Sequence, residues 1–359
     1  MTRVLRVDPQ DPDPDVVAQA AAVIREGGLV AFPTETVYGL GANALDVIAV
    51  SGIFRAKARP AFDPLIVHLV DAAQLDLVVA ETPDVTWELA REFWPGPLTL
   101  VLPRGERIPQ AVTAGGDTVA VRVPSHPVAH ALIAAAGVPI AAPSANRFGH
   151  VSPTSAEHVL ADLGGRIDVL LDGGSTPVGV ESTVLSLIDD PPRILRPGGV
   201  SREALERVLG VVEVAQHAVA EEASIVSPGT TAKHYAPRAK VIFFSGEREP
   251  MLAAMRGAAQ EQVEAGEKVG LLLAEEDVPT FRDLPVEVEA MGSLTSMAQI
   301  AQQLFASLRA LEQSGVSVIL ARDFGPAGLG LAVRDRLTRA AGGHVVVVDE
   351  DNSERGECS

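Results

Sequence analysis

Residues 16–25 carry apolar side chains at helical spacing, and Gly27-Gly28 ends the run. Directly after it, Leu29-Val30-Ala31-Phe32-Pro33 is an unbroken apolar segment with the length of a buried strand. The same punctuation predicts strands at 65–70, 98–102, 119–123, 140–142, 169–171, 182–188 and 193–195. Helical patterns lie between them at 73–77, 86–93, 128–136 and 155–163, with a last short helix at 201–209. This irregular alternation predicts a mixed α/β domain of the α+β type over residues 1–210. Residues 211–239 lose the periodicity and include Ser227-Pro228-Gly229-Thr230-Thr231, which predicts an extended linker. A different rhythm follows. Strands at 241–244, 269–274, 316–322 and 345–348 are separated by helices at 251–265, 296–313 and 329–341, the pattern of a small parallel sheet covered by helices over residues 240–350. Residues 351–359 are expected to fray.

Composition narrows the class. A chain of 359 residues with 47% hydrophobic and 21% charged residues is globular and too long for one ordinary core, so about two domains are expected. The one cysteine, Cys358, excludes an internal disulfide framework and a multi-cysteine metal cluster, which fits a reducing compartment. No segment approaches the roughly 20 apolar residues of a membrane span, and the acidic, Pro-rich stretch 8–15 leaves no room for the apolar core of a signal peptide. A cytoplasmic protein is the expectation. The net charge of −18 works against non-specific binding to nucleic acid or anionic lipid. An anionic ligand then requires cations gathered locally, so each one is worth placing.

Lys57 is the only lysine in the first 232 residues. It sits in Lys57-Ala58-Arg59-Pro60, downstream of the polar, Gly-ended run 33–41. A compact ammonium beside a planar guanidinium suits an anion site, and an isolated surface lysine is the alternative. Alternation along the strands sets Arg122 against Val119, Val121 and Val123, and His68 against Leu65, Val67 and Leu69. Arg196 ends a third strand before a Pro-Gly turn. A guanidinium in mid-strand must meet a ligand anion or a carboxylate of the protein, and both readings stand for Arg122 and Arg196. His68 is either a functional imidazole or a hydrogen-bonded core residue. Small and hydroxyl residues at 141–146, 149–154, 172–175 and 179–184 mark turns able to hold phosphate oxygens, or ordinary caps.

Familiar devices are missing. The chain has no Gly-x-x-x-x-Gly-Lys-Ser/Thr loop, no Gly-x-Gly-x-x-Gly fingerprint, no His-Glu-x-x-His helix and no Gly-x-Ser-x-Gly elbow. His126 and His130 are spaced i, i+4 across Pro127, which marks a helix start rather than a zinc site. Chemistry that relies on positioning and charge neutralisation is favoured over a protein nucleophile.

Eight ordered segments, 33–41, 57–60, 64–68, 94–99, 121–124, 142–146, 181–184 and 195–198, together resemble the YrdC-like family. The linker 227–237 and the trailing α/β domain resemble its two-domain form, the L-threonylcarbamoyladenylate synthases. The resemblance covers nearly the whole chain. It implies a twisted mixed sheet in the N-terminal domain and a Rossmann-like C-terminal domain. It also implies an ATP-consuming step in which L-threonine and bicarbonate give a carbamate that attacks the α-phosphorus, releasing pyrophosphate. Mg²⁺ would accompany the ATP, and the product would pass to a downstream tRNA threonylcarbamoyltransferase. Carried over by motif, the threonine pocket would use Thr36, His68, Arg122, the backbone at Ala142, and Ser182. The nucleotide site would use Arg59, Asp63, Thr118, Ser144, Asn146, Ser152, Arg196 and, from the linker, Tyr235, with Lys57 and Arg59 as the catalytic cations. The linker would close as a lid through Tyr235. Asp63 stands where the family often has Asn, and a carboxylate there repels triphosphate unless it binds Mg²⁺ or turns away. The segment Thr230-Thr231-Ala232 also departs from the bulkier, more basic linker of the family.

Two rivals follow from the same resemblance. An RNA-binding module is disfavoured by the charge of −18, and a carbamoyltransferase acting on carbamoyl phosphate by the lack of zinc-finger cysteines. Arg322, Asp323 and the loop 325–330 end a predicted parallel strand, a place where such sheets bind ligands, but no fingerprint names one. The synthase reading requires Arg59, Arg122 and Arg196 to converge without being neutralised by carboxylates of the same fold.

Overall fold

In the computed structural model the described residues are 1–215 and 236–348, and these two stretches fall in different compact units. The first unit runs β1 (Arg3–Arg6), α1 (Pro14–Arg25), β2 (Val30–Pro33), β3 (Tyr38–Asn43), α2 (Val47–Lys57), β4 (Ile66–His68), α3 (Asp84–Phe93), β5 (Leu98–Pro103) and β6 (Thr118–Arg122). It continues with α4 (Pro127–Ala136), β7 (Ile140–Ala141), α5 (Ala156–Leu163), β8 (Val169–Asp172), β9 (Thr183–Ser186), β10 (Arg193–Arg196), α6 (Arg202–Leu209) and β11 (Glu213–Val214). Its strands form one sheet in the order β1-β8-β2-β3-β7-β4-β6-β5-β9-β10-β11, with parallel and antiparallel pairs mixed. A mixed sheet is what the resemblance implied. β11 pairs with β10 beyond residue 210, so the start of the stretch expected to be linker belongs to the sheet.

Alternation divides the strands between two cores. Ala31, Ala141, Leu170, Val67, Leu98, Leu100, Val119 and Val121 pack on one face against α2, α3, α5 and α6. Val30, Phe32, Ile140, Ala142, Val169 and Leu171 pack on the other against α1 and α4. On that second face, farther along the sheet, lies a smaller cluster of Ile66, Val101, Ala120 and Val184. Because side chains two apart share a face, the second face also receives His68, Thr99, Thr118, Arg122 and Ser182.

In the first unit β1, β3, α2 and β11 escaped sequence reading, and two of them bear on the site. β3 contains Gly39 and Gly41, which break a strand pattern, yet a Cβ at Gly41 would lie 2.8 Å from both Ile140 and Phe32, so only glycine admits this close approach. α2 has weak periodicity, with Val47 and Ile48 exposed and Gly52 fitted against Leu29. Its signal is the Asp46 side chain, which accepts hydrogen bonds from the Ile48 and Ala49 amides.

The second unit runs β12 (Lys240–Gly246), α7 (Arg248–Glu264), β13 (Val269–Leu273), β14 (Glu287–Ala290), α8 (Met297–Gln313), β15 (Val318–Arg322), α9 (Gly330–Ala341) and β16 (Val345–Val348). Its sheet is all parallel in the order β14-β13-β15-β12-β16. Met251, Leu252, Met255 and Ala259 of α7 pack on Phe244, Leu271, Leu273 and Leu320. β14, with the sequence Glu-Val-Glu-Ala, is an edge strand whose charges hid it among the loops.

Candidate functional site

The register of the central strands gathers the polar groups. β4 and β6 run parallel with His68 opposite Arg122, and β9 lies beside β5 with Thr183 opposite Leu98. His68, Arg122 and Ser182 thus meet at one end of the sheet face. Arg122 is buried, and its Nε donates to the Gly96 carbonyl at 3.2 Å and its Nη1 to Thr36 Oγ1 at 3.0 Å. Thr36 Oγ1 lies 2.8 Å from the Thr34 hydroxyl, which donates its own proton to the Val37 carbonyl. Ser182 Oγ lies 2.8 Å from Thr99 Oγ1 and accepts from Arg196 Nη2 at 3.1 Å. Arg196 also donates twice to the Ser182 carbonyl. A register shift between Ile194 and Arg196 re-aims this guanidinium.

His68 is buried with its ring edge-on to Phe32, centroids 6.4 Å apart, and its Nδ1 has no hydrogen-bond partner. Burial, then the charge of Arg122, lowers the imidazole to about 3, so it is neutral at ordinary pH. The Ala142 amide is committed to the Ile66 carbonyl at 2.9 Å. Four of the five residues carried over to the threonine pocket therefore stand at one end of the face, with Ala142 two residues past His68's partner Ile140 in β7.

Of the other set, Thr118 and the turn of Ser144 and Asn146 lie away from that end, whereas Ser152 and Arg196 are tied to Glu181 and Ser182. α2 stops after Lys57 because Ala58 turns left-handed, its amide closing on Arg55 while the Arg59 amide returns to Phe54. This sends Lys57 inward. It is 1% exposed, and its ammonium donates to the Ser144 and Asn146 carbonyls, each at 2.5 Å. Burial, then the charge of Arg59, holds the ammonium well below its ordinary pKa. The structure corrects both readings of this lysine: it is neither a surface residue nor an ammonium open to an anion, but a tie beneath the turn that carries Ser144 and Asn146. The Asn146 amide nitrogen donates to Arg147 and His150 carbonyls, while its buried Oδ1 has no hydrogen-bond partner.

Arg59 reaches back to the Asp63 and Pro64 carbonyls at 3.1 and 2.8 Å and pairs with the Asp63 carboxylate at 2.8 Å. Asp63 is thus turned toward a cation of its own loop. Ser152 donates to Glu181 Oε1 at 2.5 Å. Thr118 opens β6, opposite Pro103, roughly 13 Å along the strand from Arg122. Tyr235 and residues 227–234 of the expected lid lie outside the described residues.

The requirement that the arginines be free of carboxylates is not met. Arg59 pairs with Asp63 and Arg122 with Glu35, at 2.8 and 2.7 Å. For Arg59 and Arg122 the expectation of unneutralised cations fails, because burying a guanidinium without a counter-charge costs more than the fold can spare. Sequence reading missed Glu35, Thr34, Gly96, Thr99 and Glu181. The signal was present for Glu35, an acid one residue before Thr36, since Arg122 in mid-strand demanded a carboxylate. In the second unit the same pairing recurs, with Arg322 bonded to Asp277 and Arg334 to Asp323 beside a cavity of about 610 Å³. Among the described residues no group of three or more His, Cys, Asp or Glu side chains is placed to hold a metal.

A family profile described as telomere recombination, Sua5_yciO_yrdC, matches residues 22–198, and one described as threonylcarbamoyl-AMP synthase, C-terminal domain, matches residues 200–342. The chain is 45% identical over 335 residues to the threonylcarbamoyl-AMP synthase of Bacillus subtilis, covering 93% of this chain and 95% of the relative. It is 46% identical over 331 residues to that of Pyrococcus abyssi, covering 92% and 95%. A crystal structure of P. abyssi Sua5 complexed with L-threonine superposes with a TM-score of 0.92 at 44% identity, covering 97% of this chain and all of that one. With both profiles matched in order and full-length relatives at this identity, the chain belongs to the threonylcarbamoyl-AMP synthase family.

Proposed function

We infer that the chain makes threonylcarbamoyl-AMP from L-threonine, bicarbonate and ATP with release of pyrophosphate, as a nucleotidyltransferase of tRNA modification. The observation that carries this is the match of both domains to synthases of that name over more than nine tenths of the chain. The P. abyssi structure bound to L-threonine adds the amino-acid substrate by likeness.

For the division of labour we propose the following. Arg122, with Thr36 and neutral His68 beside it and Ser182 held by Thr99 and Arg196, receives threonine, its guanidinium taking the carboxylate. Arg59, Ser144, Asn146, Ser152 and Thr118 face the nucleotide, with Lys57 fixing the turn from below. Arg196 is hydrogen-bonded to Ser182 and so stands at the seam between the two substrates. Attack of a carbamate oxygen on the α-phosphorus needs alignment and dispersed positive charge more than a protein nucleophile. Mg²⁺ enters as MgATP, carried by the triphosphate. Tyr235 as part of a closing segment, a cytoplasmic location and transfer of the product to a tRNA-modifying enzyme are part of the same proposal. No helix of the described residues is long and apolar enough to cross a membrane.

The test is direct. Purified protein with ATP, Mg²⁺, L-threonine and bicarbonate is expected to yield threonylcarbamoyl-AMP by mass spectrometry. Pyrophosphate release that proceeds without threonine or without bicarbonate overturns the reading.

A further inference from the structure

Glu35 is 5% exposed and sits between Thr34 and Thr36, with its backbone carbonyl accepting from the Val178 amide at 2.9 Å. Its Oε1 lies 2.7 Å from Arg122 Nη2, yet the approach is off the N–H direction, and neither carboxylate oxygen accepts a hydrogen bond. Buried carboxylates are ordinarily supplied with donors, and one left short of them calls for an explanation. A purely structural ion pair would use the guanidinium fork face to face. Here one N–H goes to Gly96 and one to Thr36, Nη2 makes no hydrogen bond, and Glu35 stands beside it with open lone pairs.

An amino acid presents a carboxylate and an ammonium on the same carbon. Its complement is a guanidinium with a carboxylate at about the same separation, and Arg122 with Glu35 supplies that arrangement. We propose that Glu35 is the amino-group subsite of the threonine pocket, its open oxygens accepting from the α-ammonium of an amino acid whose carboxylate rests on Arg122. This inference rests on the reading of Arg122 as the carboxylate partner. With the zwitterion in place the four charges alternate and the buried site stays neutral. The neighbouring imidazoles do not disturb the balance. His68 is neutral, and His126, near enough to feel the Glu35 charge, is lowered by burial. The pocket then selects for a free α-amino group, the nitrogen that must later carry the carbamate. An acid lacking the amine would leave Glu35 and its own carboxylate facing each other across one guanidinium.

The experiment compares L-threonine with (R)-3-hydroxybutanoate, the same molecule without its amine, by calorimetric titration of the full chain, with folding checked by thermal melting. The preference is the ratio of the two dissociation constants. In Glu35→Gln the preference for threonine is expected to fall at least tenfold, with the loss confined to threonine. A smaller fall, or an equal loss of both ligands as general disruption would give, overturns the proposal. If Glu35→Gln does not fold, Glu35→Asp gives the same readout: a severalfold loss confined to threonine supports the subsite, and an equal loss of both ligands overturns it. Wild-type protein that binds no threonine removes the Arg122 reading and this inference with it. Wild-type protein that makes threonylcarbamoyl-AMP while Glu35→Gln keeps its preference removes the role of Glu35 alone.

Discussion

Replacing His68 by glutamine removes a buried imidazole that resists protonation, and the effect should appear in the pH dependence of stability. Burial and the Arg122 charge bring the folded imidazole to about 3, whereas the unfolded chain titrates near the ordinary 6.5. Between those values the unfolded state binds a proton that the native state refuses. Stability of the wild type therefore falls as pH drops through this window, by about 1.36 kcal/mol per unit. At pH 5, 1.5 units below 6.5, the loss from this residue is about 2 kcal/mol. The assay is urea unfolding at pH 7.5 and pH 5, followed by tryptophan fluorescence. Trp87 and Trp94 are the only tryptophans and both lie in the first unit, so the signal reports that unit alone. The wild type should lose about 2 kcal/mol more than His68→Gln between the two pH values. His126 also titrates below its ordinary value through burial, but it is present in both proteins and cancels. Equal losses would refute the claim that His68 is buried and neutral at the Arg122 end of the sheet.

Arg122→Leu strands the Glu35 carboxylate in the interior and is expected to cost about 3–5 kcal/mol by denaturant titration. Adding Glu35→Gln should recover part of that stability without restoring threonine binding. Lys57→Met leaves the Ser144 and Asn146 carbonyls without their donor at about 1–3 kcal/mol each, partly offset because an ammonium is no longer buried. A net loss of about 2 kcal/mol is expected, with ATP affinity lowered severalfold and threonine affinity unchanged, both read by calorimetry. Chelation with EDTA should stop pyrophosphate release, Mg²⁺ should restore it, and threonine binding measured without ATP should not respond to either.

The sequence disclosed what depends on period and missed what depends on close packing. Strands β2, β5, β6, β8 and β10 were legible because their apolar runs or alternation survive burial on one or both faces. β3 was not, because the glycines that let it approach Phe32 and Ile140 erase the pattern that would reveal it. α2 was hidden for a related reason, its exposed Val47 and Ile48 spoiling the helical stripe. The loss mattered for the site, since α2 is what aims Lys57 inward; without the helix, Lys57 looked like a residue of a polar loop. Arg122, His68 and Ser182 were assigned to one face by alternation and family motif together, and register then set them side by side. That Arg122 needs a carboxylate was legible, but which residue supplies it was not. Nothing local links Glu35 to Arg122, 87 positions apart in the numbering, or Ser152 to Glu181.

The distribution of charge gives these pairings a common cause. An acidic chain cannot keep bare guanidinium groups buried in readiness for an anion, because the cost of removing each from water falls on the folded state before any substrate arrives. Arg59 is met by Asp63 and Arg122 by Glu35, while Arg196 is held by the carbonyl and hydroxyl of Ser182. Each cation is thus stabilised by the fold itself, and what matters for function is how easily its partner gives way or is shared. Asp63 is four residues from Arg59, whose guanidinium also grips the Asp63 and Pro64 carbonyls, so that pair moves as one loop. Glu35 comes from a distant segment and meets Arg122 off-axis with its lone pairs open. The looser pair is the one that can admit a second carboxylate without unfolding its surroundings, which is why a zwitterion is better matched to Arg122 than to Arg59.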